Sequence, residues 1–134
     1  IGNAEVIREG KDLSIIAVGR MVNEAMAAVK PLAELGVDAE VIDVRSIQPF
    51  DTETVVNSMK KTHRAVVVHE AVRFGGFGGE IVAQLQELAF DYLDAPIARV
   101  GAPFSPVPFS PALEKVYVPN AQSIVAEVKK TLGL

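Results

Sequence analysis

The chain contains no cysteine and only two histidines among its 134 residues. Without thiols there can be no disulfide, thiolate metal site or cysteine nucleophile, although the redox compartment stays open because a cytosolic protein can simply lack Cys. His63 and His69, separated in sequence and without thiol neighbours, make a poor transition-metal set. Long apolar runs are missing too. Stretches such as Ile15 to Val18 fall far short of the roughly 18 residues needed to cross a bilayer, so no membrane span is expected. Nor is there an excess of positive charge. Thirteen Lys and Arg against seventeen Asp and Glu leave a formal net charge of -4, which argues against a nucleic-acid binder working by general phosphate attraction and offers acidic substrates no overall steering.

What is present is the material of a core. An apolar content of 49% with 22% charge suits one domain over residues 1–134 that folds alone. The first residue is Ile1, and no basic segment followed by an apolar one precedes the first strand pattern. The expectation is a piece excised from a longer chain, whose targeting signals would lie elsewhere.

Leu13 to Val18, Ala39 to Val44 and Ala65 to His69 are short β-branched runs whose near-continuous apolarity predicts strands covered on both faces. Ile97 to Val100 reads as a further strand and Glu5 to Arg8 as an edge strand. Between them lie helical spacings. Met21 to Leu35 carries Ala25, Val29 and Leu32, with Gly36 placed to cap it and Pro31 expected to kink the last turn. Asp51 or Thr52 caps a second helix bearing Val55, Val56 and Met59, with Lys60 and Lys61 in its last turn. A third, from about Gly79 to Tyr92, is expected to bury Ile81, Leu85 and Leu88. A closing helix over Asn120 to Leu132 places Ile124, Val128 and Leu132 on one face, with Asn120 or Ser123 as its cap. Pro103 to Pro111, with four of the eight prolines, predicts an extended surface loop. Strands alternating with helices imply right-handed crossovers and an open α/β fold, with function at the carboxyl ends of the strands.

One such end carries the most informative stretch, His69-Glu70-Ala71-Val72-Arg73-Phe74-Gly75-Gly76-Phe77-Gly78-Gly79-Glu80. Its glycines permit positive φ and close backbone approach. One reading is an anion seat at a helix N-terminus. Against it, the register lacks the final glycine of the dinucleotide fingerprint, no Gly-Lys-Ser/Thr follows, and Glu80 already complements the dipole. The favoured reading is a turn packed closely against another subunit or domain. His69 and Glu70 point to opposite faces of a strand, so only one can enter a given site. His69 is favoured as a packing residue and Glu70 as the better functional candidate, while His63 is expected at the surface. Asp91 and Asp94 close the third helix, where acidic groups oppose the dipole; they are either solvated or offered to a basic partner. No serine has a Gly-x-Ser-x-Gly elbow, which argues against a serine hydrolase.

Taken in order, Gly19-Arg20-Met21-Val22, Asp43-Val44-Arg45-Ser46-Ile47-Gln48-Pro49-Phe50-Asp51, Lys61-Thr62, His69-Glu70, Gly75-Gly76-Phe77-Gly78-Gly79-Glu80-Ile81 and Phe90-Asp91-Tyr92-Leu93-Asp94-Ala95-Pro96 form a specific series. It resembles the C-terminal domain of the beta subunit of thiamin-diphosphate-dependent 2-oxo acid dehydrogenases, within the transketolase C-terminal domain superfamily. The match runs from about Ala4 to Leu132, and pyruvate, branched-chain 2-oxo acid and acetoin dehydrogenases share it. Arg99-Val100-Gly101-Ala102-Pro103-Phe104 followed by Pro106-Val107-Pro108-Phe109 tilts it toward the acetoin or bacterial pyruvate type.

The resemblance implies a three-layer α/β/α open sheet of five mostly parallel strands with one antiparallel edge strand. It implies a parent of two alpha and two beta subunits that decarboxylates a 2-oxo acid, or cleaves acetoin, on thiamin diphosphate with magnesium and acylates lipoyl groups. The family's cofactor residues lie on the alpha subunit and the beta subunit's N-terminal domain, so this piece is expected to hold neither thiamin diphosphate nor magnesium and to have no catalytic residue. What remains for it is assembly. Glu70, Arg73, Phe74, Gly75, Gly76, Phe77, Gly78 and Gly79 would lie at an interface with the alpha or the second beta subunit. Asp94 and Leu134 would dock the peripheral subunit-binding domain of the lipoyl acyltransferase core. No nucleic acid or membrane is expected as partner. Such an enzyme works in the bacterial cytoplasm or, in a eukaryote, in the mitochondrial matrix. Alternatives are a small-anion-binding regulatory domain using the glycine loop, the open sheet edge and Arg73, and the C-terminal domain of another transketolase-like enzyme.

Overall fold

The computed structural model describes residues 1–134. Strands β1 (Glu5–Arg8), β2 (Leu13–Ala17), β3 (Ala39–Asp43), β4 (Ala65–Val72) and β5 (Ala98–Ala102) form one sheet in the order β1-β3-β2-β4-β5. β1 runs antiparallel to β3 at one edge, and every other neighbouring pair is parallel. This is the expected mixed sheet with its single reversed edge strand.

The apolar runs that predict central strands do so because each serves two cores. Ile15 joins Leu13, Val41, Val66 and Val68 under helices α1 (Met21–Glu34) and α5 (Ala121–Leu132). Ile16 joins Ile42 and Val67 on the other face, under α2 (Thr52–Thr62) and α3 (Phe77–Ala89). Alternate side chains leave a strand on opposite sides, so a doubly covered strand must be apolar throughout. Each fully buried Ile, Leu or Val here contributes about 2 kcal/mol of transfer free energy.

Local chemistry sets the helix ends. The Asp51 carboxylate accepts from Thr54 N at 3.0 Å and from Ala4 N at 2.9 Å, which caps α2 and ties down the approach to β1. Hydrogen bonds from Thr54, chiefly its hydroxyl, hold the Asp51 carboxyl below its ordinary pKa. Gly36 takes φ +80° after α1, and Val37 N returns to Leu32 O, which satisfies carbonyls of the last turn. Asn120 and Ser123 cap α5 reciprocally.

Pro31 lies inside α1, which continues to Glu34. Three sequence expectations change. The third helix begins at Phe77 and ends at Ala89, followed by a 3-10 turn at Phe90–Tyr92. Its buried row is Gly78, Ile81, Leu85 and Ala89, while Leu88, expected inside, is 54% exposed at the margin of that row. Pro111 does not close the proline-rich loop but opens a short helix, α4 (Pro111–Tyr117), where a first-turn proline gives up no useful donor. Residues 103–110 stay outside regular structure, as expected.

Candidate functional site

β2 and its neighbours β3 and β4 create the point at which the winding direction of the sheet reverses, and function in such sheets gathers at the carboxyl ends there. Arg20, just after β2, and Glu70, near the end of β4, meet across it at 3.9 Å. Both are substantially exposed, so this pair contributes well under 1 kcal/mol. No nucleophile and base stand together there, and no three His, Asp or Glu side chains cluster as metal ligands.

β4 extends three residues further than the sequence suggests and carries His69 into the interior, fully buried, while Glu70 faces outward. The His69 ring is the centre about which the glycine loop folds. A Cβ on Gly78 would lie 2.4 Å from its Nε2, one on Gly101 2.9 Å and one on Gly76 3.0 Å from its Cε1. Phe77 packs beside it with ring centroids 4.6 Å apart. Nδ1 is 3.0 Å from Ala71 O, which fixes the Nδ1–H tautomer, and Nε2 has no partner. Burial is the main cause that pushes the imidazole below its ordinary pKa, and the Arg99 charge adds to it. Gly78 is therefore required by a side chain of the same chain and Gly76 chiefly by the Val72 carbonyl, 2.3 Å from where its Cβ would stand, closer reasons than the subunit contact expected from sequence.

The outer face of the loop is different. Glu70, Arg73, Phe74, Gly75 and Glu80 are exposed, and Gly76, Phe77 and Gly79 are half-buried. Phe74 is 74% exposed and meets Phe104 edge-on at 5.1 Å. Val107, Phe109, Leu113 and Val116 are also exposed across the proline-rich loop and α4, so that segment presents an apolar surface unusual in quantity for a lone domain. The sequence pattern marks Phe74, whereas around Phe104 it predicts only an extended loop. Its aromatic and aliphatic residues interleaved with proline were the available signal.

Asp94 is exposed, with Arg64 at 4.0 Å, and it borders an apolar hollow formed by Val82, Phe90, Leu93, Pro96 and Ile97. Its N–H donates to His63 O, and His63, half-buried rather than fully solvated, sits in a left-handed cap with Nδ1 2.7 Å from Tyr92 O. Asp91 is solvent-exposed. Leu134 lies elsewhere, on a groove between α1 and α5 with Ala27, Pro31, Val125 and Lys129.

The transketolase C-terminal domain model matches residues 2–124. The chain belongs to that family. Among similar proteins, it is 42% identical over 133 residues to the acetoin:2,6-dichlorophenolindophenol oxidoreductase subunit beta of Bacillus subtilis, covering 99% of this chain and 39% of the relative. It is 48% identical over 132 residues to the pyruvate dehydrogenase E1 component subunit beta of Staphylococcus aureus, covering 98% and 40%. A split-gene transketolase, solved as an inactive beta4 tetramer, superposes with a TM-score of 0.85 at 34% identity, covering 99% of this chain and 42% of that one. The chain thus spans about two fifths of the length of these relatives and corresponds to their transketolase C-terminal domain.

Proposed function

We propose that this domain serves assembly and partner docking in the beta subunit of a dehydrogenase of the pyruvate or acetoin type. The observation that carries the reading is identity of 42% and 48% to two such beta subunits over nearly the whole chain. In the proposed parent, two alpha and two beta subunits decarboxylate a 2-oxo acid or cleave acetoin and acylate lipoyl groups, with thiamin diphosphate and magnesium supplying the carbanion chemistry. No three His, Cys, Asp or Glu side chains cluster here to hold a metal ion, and this reading assigns the cofactor to other parts of the parent.

Two surfaces support an assembly role. Phe74, Phe104 and Phe109 expose apolar area that an alpha or a second beta subunit would bury. Asp94 places an acidic group beside an apolar hollow, a combination suited to a small basic domain such as the peripheral subunit-binding domain of a lipoyl acyltransferase. Leu134 would contribute from the α1/α5 side. Calorimetric titration of the chain with that purified domain tests the docking. Saturable heat that Asp94→Lys weakens by about tenfold or more is expected, since interfacial charges are partly desolvated. An affinity unchanged by Asp94→Lys overturns the assignment.

A further inference from the structure

Three cations from separate elements line one cavity that holds a single carboxylate, Glu127. Arg73 follows β4, Arg99 lies on β5 and Lys130 on α5, and all three line one cavity of about 290 Å³ with Ser123 and Glu127. β5 pairs only with β4, so the cavity opens on the free edge of the sheet. Neither Arg73 nor Arg99 takes part in any ion pair. Lys130 has one acidic neighbour, Glu127 at 3.9 Å, and is itself 79% exposed. The local charge is positive in a molecule whose net charge is -4.

The Arg99 guanidinium is also held in place. Arg99 Nη1 donates to Arg73 O at 3.1 Å, so the loop and the strand share one guanidinium, whose remaining N–H groups are free. A Cβ on Gly79 would stand 3.2 Å from the same Nη1, which puts the guanidinium against the first turn of α3. No side chain caps that turn. A cation at the positive end of a helix is the unfavourable orientation.

We propose that this cavity is a seat for a phosphoryl group, bound by Arg73, Arg99 and Lys130. Planar guanidinium forks match a tetrahedral dianion with paired charge-assisted hydrogen bonds, and Lys130 adds a point charge. The cavity is several times larger than one phosphate, so it suits a phosphate monoester whose organic part lies along Val100 and Gly101. Glu127 opposes the anion and limits its affinity.

The probes are inorganic phosphate and glycerol 3-phosphate, titrated into the 134-residue chain by calorimetry at constant ionic strength. Saturable binding is expected, tighter for the monoester; phosphate alone binding as tightly would identify the free ion as the ligand. Lys130→Gln should weaken binding by about tenfold, the factor attached to one charge-assisted contact. Arg99→Gln should weaken it at least as much, and Glu127→Gln should tighten it. Lys130 and Glu127 are exposed or partly exposed positions on a capped helix, so their variants keep the fold, which a thermal melt checks. No saturable binding of either probe up to about 10 mM, or affinities that ignore Lys130→Gln and Glu127→Gln alike, would overturn the proposal.

Discussion

His69 Nε2 and Gly78 are so placed that a single methyl on the glycine would come within 2.4 Å of the ring nitrogen. No Cβ tolerates that distance, and the ring is hemmed in by Phe77 and by Gly76 and Gly101, where an added Cβ would stand about 3 Å from its Cε1. Gly78→Ala is therefore expected to destabilise the domain by about 2–3 kcal/mol through overpacking. Gly75→Ala makes the contrast: its φ of +72° carries the strain of a left-handed residue, but nothing lies within 4 Å, so about 1 kcal/mol is expected. Urea unfolding of both variants checks the order. Equal losses would mean that His69 does not limit the loop.

His69 makes stability depend on pH in a defined direction. Its folded pKa is depressed, chiefly by burial, from an ordinary value of 6.5. Below that value the unfolded chain takes up a proton that the folded chain resists, so stability is complete above about pH 6.5 and declines as pH falls toward the folded pKa. The loss in unfolding free energy between pH 7.5 and pH 5.5 should be smaller in His69→Gln than in the parent chain. Parallel pH profiles would show that His69 is not the group responsible.

A second buried polar set stiffens the α2 face. Glu40, 1% exposed, accepts from Gly10 N at 3.1 Å and is bound by the Ser58 hydroxyl and the Lys61 ammonium. Lys61 also reaches the exposed Glu9 at 2.7 Å, and its hydrogen bonds, first to Glu40 and then to Glu9, raise its pKa. Removing Lys61 strands a buried carboxylate. Removing Glu9 strands nothing. Lys61→Met is expected to cost about 2 kcal/mol, a value reduced by the partial exposure of the ammonium, and Glu9→Gln far less because that carboxylate is fully solvated. Thermal melts of the two variants read the difference, and a Glu9 effect equal to that of Lys61 would contradict it.

The sheet and four of the helices were legible because doubly covered strands must be apolar at every position and amphipathic helices at every third or fourth. Glu5–Arg8 was legible as an edge strand, and its antiparallel pairing came with the family resemblance. α4 escaped because none of its seven residues is buried, so it leaves no apolar stripe; the Ser110-Pro111 start with Glu114 in the first turn was the only signal. Leu88 misled for the opposite reason, being apolar at a helical spacing but at the margin of the packed row. The glycine loop was legible as a place of close approach. Its internal partner was not, because nothing in the local pattern at His69 reveals that Gly76, Gly78 and Gly101 converge on one ring. Arg73 and the open sheet edge were legible as an alternative anion site, but that Arg99 and Lys130 join them was not, as the three are separated by tens of residues and joined only by the fold.

An assembly domain should associate through the surface it exposes. Sedimentation velocity of the chain alone over a range of concentrations, beside a Phe74→Ser, Phe104→Ser variant, tests this most directly. A reversible shift of the parent chain from monomer to dimer or larger species is expected as concentration rises, with the variant remaining monomeric while melting at a similar temperature. A parent chain that sediments as a monomer at every concentration, or a variant that associates as readily as the parent, would contradict the assembly role.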